Sequence, residues 1–267
     1  MFLVGSDPET FVRLGDKYLS GHLFPCGTKD NPTPTKNAHV QVDGIALEFN
    51  TRPAATREEF VKNMALALGD LDEIVKAHYP EAYLEFIPTA EVGQEFLESL
   101  PEANRELGCN PDFNAYTMGK NPTPDVEMPF RTGSGHVHVG FRAPDPELVE
   151  SMNHFRECAR IARQLDFFLG LPSLAWDPDT KRRELYGKAG AFRPKPYGME
   201  YRVLSNKWVG DEYLVGFVYD QTEKAMNLLE QNLDLTDDYG TYARDAINSG
   251  DATWMESRPD IAEVIFS

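Results

Sequence analysis

Apolar positions along this chain follow two rhythms, and the rhythm changes where the elements should change. Phe60, Met64, Leu68, Leu71 and Val75 recur at helical spacing, which predicts a helix that Thr56 and Glu59 cap and Pro80 stops. A longer helix is predicted from about Pro146 to Gly170, with Leu148, Met152, Phe155, Ala159, Ala162, Leu165 and Phe168 on its buried side. Further helices are expected at about 91–100, 211–232 and 240–249, with one more near the end. The N-terminal third reads as short strands joined by turn-rich loops such as KDNPTPTKN, and AYLEFI at 82–87 and YGMEYRVLS at 197–205 read as strands. Residues 108–134 are dense in Gly, Pro, Asn and Asp and read as loops. No repeat, low-complexity tract or linker divides the chain, so a single α+β domain over 1–267 is expected.

The period-two segments share a peculiarity. In GHVHVGF at 135–141, His136 and His138 fall on one face of a strand and Val137 and Val139 on the other. Asp7 and Glu9 repeat the spacing near the N-terminus. So do Glu48 and Asn50, with Arg52 next in phase, and Glu200 and Arg202. Solvent faces of strands favour Lys, Thr, Ser and Gln, whereas these faces carry Asp, Glu and His. If the faces converge, they make an oxygen-rich cation site with an imidazole beside it. Such a set suits Mg²⁺ or Mn²⁺, while zinc would ask for more His or Cys in tetrahedral array. The plain alternative is a group of strand-end charges that neutralise one another.

Composition narrows the function classes. A 41% hydrophobic and 26% charged chain of 267 residues is an ordinary globular protein. No apolar run is long enough for a bilayer, and MFLVGSDPET lacks a basic leader region, so a cytoplasmic protein is expected, in the host cytoplasm if phage-encoded. Cys26, Cys109 and Cys158 are odd in number and far apart, which argues against a disulfide framework or a CxxC zinc site. A net charge of −17 speaks against an extended nucleic-acid or anionic-membrane surface. One basic island stands out: Lys181, Arg182, Arg183, Lys188, Arg193, Lys195 and Arg202, against Glu184 and Glu200. It points to a small phosphorylated ligand, or else to a solvated loop.

Five motifs occur in order: GSDPE, DGIALEFNTRP, GCNPDFNAYT, GHVHVG and RRELYGKAGAFRPKPYGMEYRVLSN. Together they resemble the phage-type carboxylate–amine ligases, the COOH·NH2 ligase type 2 family, relatives of glutamate–cysteine ligases and glutamine synthetase. The resemblance runs from Gly5 to about Trp208. It implies a glutamine-synthetase-like domain, a curved, mainly antiparallel sheet with helices on its convex side. The concave side would hold ATP, two or three Mg²⁺ or Mn²⁺ ions, and a small-molecule or peptide acid and amine. By motif, Asp7, Glu9, Glu48, His136 and Glu200 would be metal ligands. His138, Lys188 and Arg202 would meet the nucleotide. Arg202, Arg183 and Arg193 would neutralise the γ-phosphate during transfer, and Asn50, Arg52 and Asp112 would face the substrates. Asp7 stands where glutamate–cysteine ligases usually carry Glu, and relatives range from small oligomers to large rings.

The resemblance implies activation of the acid by ATP as an acyl phosphate, which the amine then attacks. A guanidino-kinase-like phosphotransferase would use the same arrangement and stop at N-phosphorylation. A metal-dependent hydrolase would use the His and carboxylate cluster and leave the arginines unexplained.

Overall fold

The computed structural model describes residues 2–105, 112–122 and 128–267, apart from the Glu184 side chain. Cys109 lies outside these residues. The first strands are β1 (Leu3–Ser6), β2 (Glu9–Leu14), β3 (Lys17–Leu19), β4 (Thr33–Pro34), β5 (His39–Asp43), β6 (Ala46–Asn50) and β7 (Tyr83–Glu85). They are followed by β8 (Thr89–Glu91), β9 (Phe113–Asn114), β10 (Phe130–Thr132), β11 (Val137–Gly140), β12 (Ala191–Lys195) and β13 (Gly198–Tyr201).

One antiparallel sheet has the order β1-β11-β13-β12-β9, and a second runs β3-β2-β6-β5-β4 with β7 beside β2. Only Asp7 and Pro8 separate β1 from β2, so the chain steps straight from one sheet into the other. The seam is stitched by Val4 and Ala54, which exchange backbone bonds of 2.9 and 2.8 Å. Phe49 N also donates to the Pro8 carbonyl at 3.1 Å, and Glu9 N to the Ser134 carbonyl at 2.8 Å. The result is a mixed helix and sheet fold, α+β, whose strands curl into a half-barrel.

Strand alternation sorts the side chains as the pattern demands. Val137, Val139, Met199 and Tyr201 are buried in the main core. The Met152–Leu165 helix lies against β12 and β13 on that side, where Phe155 meets Phe113 and Phe192 at ring distances of 4.9 and 5.2 Å. On the opposite face, the register sets His138 and Arg193 on either side of Glu200.

The Arg57–His78 helix forms as predicted: the Thr56 hydroxyl accepts from Glu59 N at 3.2 Å, and the chain leaves the helix before Pro80. It packs on the Glu212–Glu230 helix. The single helix expected over 146–170 is instead three pieces. Pro146–Glu150 is a 3₁₀ turn and Ser151 is extended (φ −78, ψ 120), its hydroxyl accepting from His154 N to start Met152–Leu165. Asp166–Gly170 then widens into a π turn. The restart at Ser151 makes Met152 the first residue of its helix and leaves it 60% exposed, so it is not on the buried side. The basic segment, read as a loop, contains the Thr180–Leu185 helix and β12. Among the described residues no helix is long and apolar enough to cross a membrane.

Candidate functional site

Two acidic clusters form where the two sheets meet. In the first, Asp7 on the β1–β2 link, His136 at the entry to β11 and Glu200 in β13 converge. His136 Nδ1 lies 3.4 Å from Asp7 Oδ1 and 3.3 Å from Glu200 Oε1. The Ser6 hydroxyl donates to the His136 carbonyl at 2.5 Å and fixes the backbone there. His138, two residues on, sets Nε2 at 2.9 Å from Asp7 Oδ1, off the ideal hydrogen-bond direction, and Nδ1 at 2.5 Å from the Tyr197 hydroxyl.

The second cluster comes from cross-strand pairing. Glu9 of β2 and Gln41 of β5 both sit opposite Glu48 of β6, and Asp43 ends β5 close by. Gln41 Nε2 donates to Glu48 Oε1 at 2.9 Å, and Ser134 N donates to Glu9 Oε2 at 2.8 Å. Within each cluster, Asp7 with His136 and Glu200, and Glu9 with Asp43 and Glu48, one ligand atom per residue lies within 4.8 Å of the others.

Cations crowd the first cluster. Arg202 pairs with both Glu200 and Asp112. Lys195 Nζ is 2.7 Å from Glu200 Oε2, and Arg193 spans Glu200 at 3.6 Å and Asp112 at 3.7 Å. Arg193 and Lys195 alternate along β12 and share the face of Glu200.

The electrostatics of the two clusters differ. Burial alone would raise Glu200, but Arg202, with His136 and Lys195, holds it below the ordinary carboxylate range. Burial would raise Asp7 as well, but the imidazoles of His138 and His136 beside it hold it low. Burial and the Arg202 charge bring His136 down to about 4, so its imidazole is neutral and competent to bind a metal. Its Nε2 is buried without a hydrogen-bond partner. In the second cluster burial comes first and the carboxylates then repel one another: Glu9 rises to about 7, chiefly through burial and Asp43. Glu48 rises well above its ordinary value through burial, Asp7, Glu9 and Asp43, and Asp43 is raised by burial and by Asp7. A site that pushes three carboxylates toward protonation gains from a cation that neutralises them. The donor sets, oxygen with one imidazole, fit Mg²⁺ or Mn²⁺.

Of the residues singled out from sequence, Asp7, Glu200, His136, His138, Arg193, Arg202 and Asp112 meet in the first cluster, and Glu9 and Glu48 in the second. Asn50 lines an adjoining cavity of about 320 Å³ with Ser6, His138 and Tyr197. Arg52 lies outside: it is exposed and donates to the Lys36 carbonyl at 2.9 Å. Arg183 is buried away from the clusters, donating to the Asp177 and Asp179 carbonyls at 2.9 and 2.8 Å. Lys188 belongs to the turn before β12, where its carbonyl accepts from Ala191 N at 3.0 Å. The neighbour of Arg183 points inward instead. Arg182 donates to the Val203 carbonyl at 2.7 Å and to the Ser134 hydroxyl at 3.3 Å, and its charge bears on Glu9. Asp43, Lys195 and Tyr197 join the site without having been singled out for a role.

Behind the sheet, the Asp166 carboxylate accepts from Tyr201 at 2.7 Å and from Tyr116 at 2.8 Å, tying the strand of Glu200 to the segment that follows Asp112. Burial raises Asp166 to about 7 from 3.8 despite those bonds. The folded chain therefore keeps a proton that the unfolded chain releases, and this stabilisation is lost as pH rises from about 4 to about 7. Asp166→Asn is expected to flatten that decline, by on the order of 4 kcal/mol at most, in urea denaturation across the window. An unchanged slope would show that Asp166 is already ionised when folded.

Residues 127–220 match the model of the family described as Phage phiEco32-like COOH.NH2 ligase-type 2. The family the motifs resemble is the family matched. The matched stretch carries His136, His138, Arg193, Lys195, Glu200 and Arg202, while Asp7, Glu9, Asp43 and Glu48 lie before it. No curated protein matches the chain significantly. The name of the matched family is that of a ligase joining a carboxyl group to an amine.

Proposed function

We propose that the chain is an ATP-dependent carboxylate–amine ligase, one catalytic domain over residues 1–267 with a glutamine-synthetase-like curved sheet. The observation that carries this reading is the juxtaposition of two cation-ready acidic clusters with Arg193, Lys195 and Arg202 on one face of the half-barrel. A hydrolase would need the first feature and not the second.

Mg²⁺ or Mn²⁺ held by Asp7, His136 and Glu200, and by Glu9, Asp43 and Glu48, would supply neutralising charge at phosphate oxygens. Arg202 and Arg193 are held in place by Asp112, so they need little reorganisation to receive the negative charge of a transferring phosphoryl group. Lys195, now on Glu200, is a third such donor. Asn50 and the cavity beside His138 offer a place for part of a bound ligand. The acid's carboxylate attacks the γ-phosphorus and ADP departs. The amine nitrogen then attacks the acyl carbon and phosphate departs, with the amine proton passing to a base. Orientation and charge neutralisation are what phosphoryl transfer requires of a protein, and these side chains supply both. The substrates are small-molecule or peptide acids and amines.

The test is ADP formation with Mg²⁺ or Mn²⁺ across mixtures of amino acids, di-acids and polyamines. Turnover that needs both metal and an acid, and that EDTA stops, is expected. Hydrolysis of an amide or ester in the absence of ATP would favour a metal-dependent hydrolase. ATP-dependent phosphorylation of a guanidino compound, with no acid required, would favour the kinase-like reading.

A further inference from the structure

Tyr197 sits at the tip of the β12–β13 hairpin, where Lys195 pairs with Gly198 and only Pro196 and Tyr197 turn the chain. Its backbone is secured without its side chain. The Tyr197 carbonyl accepts from Phe141 N at 3.0 Å and Arg142 N at 3.3 Å, and the Pro196 carbonyl accepts from Asp145 N at 2.9 Å. The hydroxyl is spent elsewhere, 2.5 Å from His138 Nδ1. Burial, and then the charges of Asp7 and Glu200, push the phenol upward, so it keeps its proton at neutral pH. The hydroxyl thereby holds the His138 ring by Nδ1 and turns its other nitrogen, Nε2, toward Asp7. That nitrogen is the one 2.9 Å from Asp7 Oδ1. Asp7 itself belongs to no strand, so the ladder hydrogen bonds that hold Glu200 in β13 do not hold it.

We propose that Tyr197 is a positioning residue that acts through His138 to set the Asp7 carboxylate for a divalent cation shared with His136 and Glu200. The inference rests on the metal site of the ligase reading and adds a relay to it: Tyr197 fixes the ring of His138, and the ring of His138 in turn braces Asp7. A group that touches a metal ligand directly, as His138 touches Asp7, is worth about 10- to 100-fold in metal affinity, and Tyr197, one step behind it, should fall at the low end.

Mn²⁺ binding to the full chain, followed by the electron paramagnetic resonance signal of free Mn²⁺, tests this without any substrate. Tyr197→Phe keeps the ring and the backbone bonds and removes only the hydroxyl. The expected result is one class of Mn²⁺ site weakened about tenfold, the other class unchanged, and a metal-free melting temperature within about 2 °C of the parent. Equal Mn²⁺ affinity in Tyr197→Phe and the parent overturns the relay and leaves the metal site standing. Equal weakening of both classes also overturns it, because the effect would not be specific to Asp7. No Mn²⁺ binding by the parent chain removes the metal reading and this inference together.

Discussion

Glu200→Gln is expected to reduce ATP turnover about a thousandfold while leaving a folded chain. Glu200 is fully buried, and its two oxygens are where His136, Lys195, Arg193 and Arg202 meet. An amide keeps the shape and removes the charge that makes the position a cation ligand. A thousandfold is about 4 kcal/mol of lost transition-state stabilisation, more than the loss of one ordinary neutral hydrogen bond accounts for. The fold should survive because Asp112 remains to pair with Arg202 and Arg193, although breaking part of a buried charge network costs on the order of 3 kcal/mol. ADP release and urea denaturation of the same preparation separate the two effects. Turnover within about tenfold of the parent would take Glu200 out of the site.

Asp43→Asn has two expected effects of opposite sign. Glu9, Asp43 and Glu48 are raised first by burial and then by one another's charges or that of Asp7. Without metal, neutralising one of the three relieves repulsion, so the chain should gain about 1–2 kcal/mol, which for its size means several degrees in melting temperature. With metal, the advantage reverses. A cation at about 100 times its dissociation constant stabilises the parent by about 2.7 kcal/mol, and a cluster short of one ligand should lose most of that. Melting curves in EDTA and in MnCl₂ give both numbers. Equal Mn²⁺ stabilisation of Asp43→Asn and the parent would exclude Asp43 as a ligand.

Much of this architecture was legible in the sequence because alternation is local. Val137 and Val139 facing the core and His136 and His138 facing the cluster follow from a period of two. The Arg57–His78 helix follows from its stripe and its cap. The residues that escaped notice depend on pairing between distant segments. Asp43 precedes Gly44, whose φ of 57° makes a tight turn, so the pair reads as turn chemistry. Only the β5–β6 register, with Gln41 opposite Glu48, carries Asp43 to its partners. Lys195 stood only as one member of the basic island: with the segment before the 197–205 strand read as a loop, the strand spacing between Arg193 and Lys195 had no meaning. Arg182 and Arg183 differ by one helical step, and the Asp179 cap decides which turns inward. The long helix expected over 146–170 failed at Ser151, whose hydroxyl caps a new start.

The central claim, that this half-barrel makes an amide bond, is met most directly by the mass of its product. The chain is incubated with ATP, Mg²⁺ and pooled acids and amines, and the mixture is read by mass spectrometry alongside ADP. The account predicts a new species equal to one acid plus one amine less a single water, formed in step with ADP and absent without ATP. ATP consumed in step with a phosphorylated amine or guanidine, with no dehydrated adduct from any pair, would contradict it.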